Sequence, residues 1–148
     1  TTYPIVQTFG DVTTVKVNGT QRPATINHRV LAKCSQGTTE VRVDIDAQRA
    51  YLIVDGEVGI DTPVSTAKAD MYTPRGVYSI TERVRSGKIS NLYHCEMPNW
   101  MRLGSTAVGM HAGYLPGYPA SHGCIRCPAS VVPYIFDHTR SGTKVTVR

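Results

Sequence analysis

Apolar and polar residues alternate in short runs along most of this chain. Val12-Thr13-Thr14-Val15-Lys16-Val17 alternates and ends in Asn18-Gly19, a dipeptide suited to a tight turn. Val41, Val43 and Ile45 alternate with Arg42, Asp44 and Asp46, the pattern of a strand with one buried face. Tyr51-Leu52-Ile53-Val54 meets Asp55-Gly56, and residues 57–63 return, which predicts a second hairpin. Residues 76–81 and 143–147 read as further strands, and residues 106–110 as another that delivers His111 at its end. Helical spacing is found only over 131–139. There Ser130 is the predicted N-cap, Pro133 falls in the first turn and Ser141-Gly142 stops the helix. Residues 18–40 are the least periodic. The pattern predicts a mostly β fold, a sandwich or barrel, with one helix late in the chain.

Length and charge narrow the picture a little. At 148 residues the chain is about one domain long, and such a domain buries enough surface to fold without a disulfide framework. No apolar run approaches the roughly 20 residues of a membrane span. The chain opens Thr1-Thr2-Tyr3-Pro4, without Met or a basic-then-apolar leader, as the mature form of an exported protein or a fragment would. The net charge of +5 comes from scattered Lys and Arg, with none of the clustering of a nucleic-acid site. Eight Tyr interleaved with arginine raise single-strand binding as a reading, but without a basic stripe no nucleic-acid partner is expected.

The chemistry concentrates in Ser121-His122-Gly123-Cys124-Ile125-Arg126, with His111 thirteen residues before the cysteine. Cys124 offers a thiol, which is a strong nucleophile only as thiolate. An imidazole titrates near neutrality and can take its proton. The backbone around Gly123 lacks a side chain and can line an oxyanion hole. Pro116, Gly117 and Pro119 before the motif and Pro128 after it place it on a loop, where function concentrates. The residues leave two other readings open. Cys124 can be a small buried hydrophobe. Alternatively, Cys124 and Cys127, a CxxC, can bind zinc together with His122, His94, Cys95 or Cys34. Only one tight ligand pair is present, so no metal is expected. If Cys124 stays reduced, at most one disulfide can form. Cys34 with Cys95 is the favoured pair, with Cys127 pointing inward and all-free thiols as the alternative.

Met110-His111-Ala112-Gly113 followed by Ser121-His122-Gly123-Cys124-Ile125-Arg126 resembles the signature of the L,D-transpeptidase catalytic domain, the YkuD-like family. Thr73-Pro74-Arg75-Gly76-Val77-Tyr78 is similar to a further element of that family, and Gln48 with Arg49-Ala50-Tyr51-Leu52 to a strand opening. The likeness covers about 41–148; residues 1–40 read as an N-terminal extension or as first strands of the same domain. The resemblance implies a β-sandwich or barrel with one helix after the cysteine motif, no cofactor, and an exported, monomeric enzyme of the bacterial envelope. It implies peptidoglycan as substrate: a tetrapeptide stem as donor, an amine of a second stem as acceptor, and carbapenem-type β-lactams as ligands. Cys124 is then the nucleophile and His111 the base, in preference to His122. The Ala112 carbonyl orients the imidazole, and the N–H groups of His122, Gly123 and Cys124 form the oxyanion hole. Arg126 either holds a substrate carboxylate or braces the loop. Ser121 stands in the substrate site and shapes the loop, and Tyr93, Trp100 and Tyr114 either line the cleft or simply pack. The spacing from His111 to Ser121 is shorter than is common in the family, and Cys127 stands where an apolar residue is usual, raising a disulfide with Cys124. An L,D-carboxypeptidase, a D-amino-acid exchanger and a zinc-stabilised or silent wall-binding module are the alternatives.

Overall fold

A computed structural model describes residues 5–9, 12–17, 23–33, 38–69, 71–89, 96–121 and 123–148. Among the described residues eleven strands form one sheet in the order β1-β2-β3-β6-β5-β4-β11-β7-β8-β9-β10. They are β1 (Ile5–Phe9), β2 (Val12–Val15), β3 (Ala24–Asn27), β4 (Thr39–Asp44), β5 (Arg49–Val54), β6 (Glu57–Pro63), β7 (Gly76–Val84), β8 (Trp100–Leu103), β9 (Gly109–Ala112), β10 (Ile125–Cys127) and β11 (Lys144–Val147).

The alternating patterns become strands for the expected reason. Along β4, Val41 and Val43 are buried while Arg42 and Asp44 face water, so one face of the pleat joins the core. β5 and β6 pair antiparallel through a two-residue turn at Asp55-Gly56, both with positive φ (51° and 81°), as a turn matched to strand twist requires. β11 lies between β4, to which it is parallel, and β7, to which it is antiparallel. β1 to β3 continue the sheet where β3 pairs with β6. The predicted turn at Asn18-Gly19 lies outside the described residues.

Three expectations are corrected. Residues 104–107 form a turn, and the strand there is β9, so His111 sits inside it. The cysteine motif is only partly a loop, because Ile125–Cys127 is β10, parallel to β9. Ser130 does not cap the late helix. The helix, α2, runs Val132–Asp137 from Val131 with no side-chain cap, and the buried Ser130 Oγ has no partner. Pro133 does fall at its start, where a missing N–H costs little. A one-turn helix, α1 (His28–Leu31), was not predicted; the Asn27 side chain caps it by accepting from Val30 N.

The core gathers Val41, Val43, Leu52, Ile60, Ile80, Met101, Leu103, Met110, Ile125 and Val145 from the sheet, with Val132, Ile135 and Phe136 of α2 against it. Each full burial of such a side chain is worth about 1.5–3 kcal/mol. Met110 and Ile125 anchor the two strands that carry the candidate site. β10 is also paired on its other side. Ser65, in the segment after β6, exchanges backbone hydrogen bonds with Arg126 (3.0 and 2.9 Å), which curls the sheet back on itself. No helix among the described residues is long and apolar enough to cross a membrane.

Candidate active site

Strand register puts the thiol and the imidazole on one face of the sheet. In the β9–β10 pair, Ile125 is level with Met110 and Arg126 with His111. Met110 and Ile125 point into the core, so Gly109, His111 and Arg126 belong to the opposite face, with Cys124 one step before β10 on that same face. The Gly109 N–H reaches the Cys124 sulfur. Strand parity sends Cys127 the other way. It is fully buried, its thiol is pushed up to about 12 by burial, and both Cys124 and Cys127 are free. A Cys124–Cys127 disulfide and a shared zinc ion are therefore geometrically disfavoured. Among the described residues no group of three His, Cys, Asp or Glu is placed to hold a metal.

The imidazole is fixed in one tautomer. His111 Nδ1 lies 2.8 Å from the Ala112 carbonyl, which can only accept, so Nδ1 carries the hydrogen and Nε2 keeps its lone pair. Burial lowers the His111 pKa; the Ala112 carbonyl partly offsets this, and the nearby Arg126 charge lowers it further. Burial raises the Cys124 pKa, against the smaller lowering effects of the Gly109 N–H and Arg126. Both shifts favour a resting neutral thiol beside a neutral imidazole over an ion pair.

The turn before Cys124 is built by polar contacts from distant parts of the chain. Ser121 Oγ donates to the Cys124 carbonyl (2.6 Å) and accepts from Gly123 N (3.1 Å), so Ser121 shapes the turn. The Gly123 N–H, predicted to face the oxyanion, is thus already taken. Gly123 has φ +145°, which L side chains rarely adopt. Buried Thr73 donates to the Gly123 carbonyl (2.7 Å) and accepts from Ala67 N (3.1 Å). Sequence reasoning matched Thr73 to a family element without giving it this role. Ser65 Oγ donates to the Tyr118 carbonyl (2.9 Å) and accepts from Ala120 N (3.1 Å), while Gln48 holds Thr66 through both its amide atoms.

Other predicted residues fall as follows. Arg126 reaches the carbonyls of Tyr114 (3.5 Å) and Ala120 (3.4 Å), both at long range, and Gly113 leaves space for its stem. Tyr114 does not pack into the core: it is 65% exposed. Trp100 does pack: it is 2% exposed, with its ring 6.2 Å from that of His111. His122, Tyr93, His94, Cys34 and Cys95 lie outside the described residues, as does the proposed Cys34–Cys95 pairing.

Comparison with known proteins agrees with this architecture. A model of the L,D-transpeptidase catalytic domain (YkuD) matches residues 38–147. An L,D-transpeptidase structure from Stackebrandtia nassauensis is similar at 23% identity and TM-score 0.69, over 76% of this chain and 56% of that one. The catalytic domain of an E. faecium L,D-transpeptidase is similar at 28% identity and TM-score 0.61, over 76% of this chain and 98% of that one. An LD transpeptidase solved in complex with imipenem is similar at 18% identity and TM-score 0.71, over 93% of this chain and 67% of that one. The chain spans little more than half the length of the Stackebrandtia structure. No curated protein matches. With a mostly β fold, a family match over most of its length and the site geometry above, this chain belongs to the L,D-transpeptidase catalytic-domain family.

Proposed function

We propose that the chain crosslinks peptidoglycan stem peptides by cysteine acyl transfer in the bacterial envelope, as an exported monomer. The observation that carries this reading is the His111 Nδ1–H bond to the Ala112 carbonyl, which leaves Nε2 as a proton acceptor on the sheet face shared with Cys124. In the first step Cys124 Sγ attacks the carbonyl carbon before the terminal D-alanine of a tetrapeptide stem, and its proton passes to His111 Nε2. The Cys124 N–H is assigned to the developing oxyanion. The C–N bond then breaks, the Nε2 proton goes to the leaving amine, and a thioester remains. In the second step a stem amine attacks the thioester and loses its proton to Nε2. The C–S bond breaks and the sulfur is reprotonated, giving a 3→3 crosslink. Arg126, whose charge acts on both reactive groups and whose described contacts are long, is assigned to a substrate carboxylate, with Ser121 and the exposed Tyr114 assigned to the same substrate site. Carbapenems are assigned to Cys124 as acylating ligands.

Incubation with disaccharide tetrapeptide and mass analysis of the products tests the reading. Crosslinked dimer is expected, and it should vanish in Cys124→Ala without loss of fold. Tripeptide alone would assign a carboxypeptidase, with water as acceptor, and D-amino-acid-substituted stems an exchanger. No turnover, or stoichiometric zinc bound through Cys124, would overturn acyl transfer. His111→Ala at near-normal rate would overturn the choice of base.

A further inference from the structure

The imidazole has a neighbour whose placement is unusually well supported. The buried Trp100 ring lies 6.2 Å from the His111 ring, tilted by 35°. Gly109 makes this approach possible: a Cβ there would stand 2.8 Å from the indole and 2.5 Å from the Met101 carbonyl. The indole edge is fixed as well. Trp100 Nε1 donates to Glu82 Oε1 at 2.7 Å, and the same oxygen accepts from Arg102 Nε at 3.2 Å and lies 3.2 Å from Lys88 Nζ. Lys88 Nζ also stands 5.7 Å from the indole centroid.

We propose that Glu82 and Trp100 are positioning residues for His111: the carboxylate holds the indole through its Nε1–H, and the indole holds the imidazole plane and faces the imidazolium as it forms. The proposal rests on His111 being the base. Its physical content is electrostatic as well as steric. An indole face attracts a cation, and the attraction grows when the pair is desolvated. A hydrogen bond from the indole to a carboxylate adds electron density to the ring. The charges acting on His111 and those gathered at the indole beside it both enter the balance. Arg126 on β10 opposes the imidazolium, Cys124 supplies its proton, and Lys88 and Arg102 are positive beyond the indole. Glu82 is the one carboxylate in this group, and it offsets those two cations. Hydrogen bonding from Trp100 is the main cause holding the Glu82 carboxyl below its ordinary pKa, so it stays ionised at neutral pH. Replacing it by a neutral amide leaves Lys88 and Arg102 uncompensated and makes His111 a weaker base.

The test is the rate of Cys124 acylation by imipenem across pH, read by mass, together with NMR titration of the His111 ring. His111→Ala identifies that resonance among the five histidines. Glu82→Gln is expected to lower the acylation plateau about 3- to 10-fold and to move the His111 titration to lower pH. Trp100→Leu should cost about 10- to 30-fold, with Trp100→Phe between, since it keeps a ring but loses the Nε1–H. Glu82→Gln added to Trp100→Phe should cost less than Glu82→Gln alone, because only the charge offset is left to lose once no indole Nε1–H is held. A folded Glu82→Gln protein with wild-type acylation and an unmoved titration overturns the proposal, as do additive losses in the double variant. If the Trp100 variants fail to fold, Glu82→Gln carries the test alone. If His111→Ala acylates normally, the base assignment falls and this inference with it. If His111→Ala is dead while Glu82→Gln and Trp100→Phe behave as wild type, only this inference falls.

Discussion

The turn between β5 and β6 and the turn before Cys124 are both tight reversals built around a positive-φ glycine, yet they are held in opposite ways. Gly56 sits between strands whose pairing runs straight into the turn, Val54 against Glu57, and a Cβ there would meet nothing within 4 Å. Gly123 sits in a turn held by Ser121 from within and by Thr73, fifty residues away in sequence. The first reversal is specified by its own two residues and the strands beside them. The second adds to its local Ser121 bonds a hydrogen bond from Thr73 that requires a distant segment to be in place. A scaffold can be local; this reactive turn is assembled.

Substitutions at the two glycines break the comparison most sharply. Gly123→Ala would meet Tyr72 and Val108 only at ordinary contact distance (3.5 Å), so its cost is backbone strain, about 1–3 kcal/mol. Because that strain displaces the oxyanion turn, acylation should fall by ~10²–10³, measured by adduct formation at Cys124. Thr73→Val comes next. It leaves a buried carbonyl and an N–H without their partner, costing about 1–3 kcal/mol in a denaturant melt. Its acylation loss should reach up to ~10²-fold through misplacement of the turn, with Thr73→Ser near wild type.

The pH dependence sharpens the comparison from the electrostatic side. Burial lowers the His111 pKa, so kcat/KM should climb with pH through a limb below the ordinary imidazole range, about tenfold per unit. The same shift makes stability rise with pH between the lowered folded value and the ordinary one, because there the unfolded chain binds the extra proton. Cys124, raised by burial, should be alkylated by iodoacetamide at rates still rising above the ordinary thiol range. Gly56→Ala is the smallest effect, about 1 kcal/mol of stability from its φ of +81°, with acylation unchanged.

What was legible in the sequence follows the same division. β4, the β5–β6 hairpin and β11 could be read because each carries its own period-two pattern or turn dipeptide. Cys124 and His111 could be read because their chemistry is carried by residue type. β10 was missed as a strand because its three residues, Ile125–Cys127, hold too little pattern, and its pairing is with β9 and Ser65. α1 was missed because one turn of helix gives no periodicity. Ser130 met the rule for a cap, yet its hydroxyl is buried without a partner and the helix starts from Val131. Thr73 and Trp100 were visible as residues, but their contacts span 50 and 18 positions, and no local signal states them.

The parity that separates Cys124 from Cys127 also bears on how this site meets oxidants. A thiol oxidised to sulfenic acid is rescued when a neighbouring thiolate condenses with it to a disulfide. Cys127 is three residues away in sequence but faces the core, and burial pushes its pKa up to about 12, which keeps it a thiol at neutral pH. Among the described residues, then, Cys124 has a neighbour in spacing but not in chemistry. Capture of a sulfenic acid at Cys124 by Cys127 is therefore disfavoured, which leaves that step to a thiol from outside the described residues.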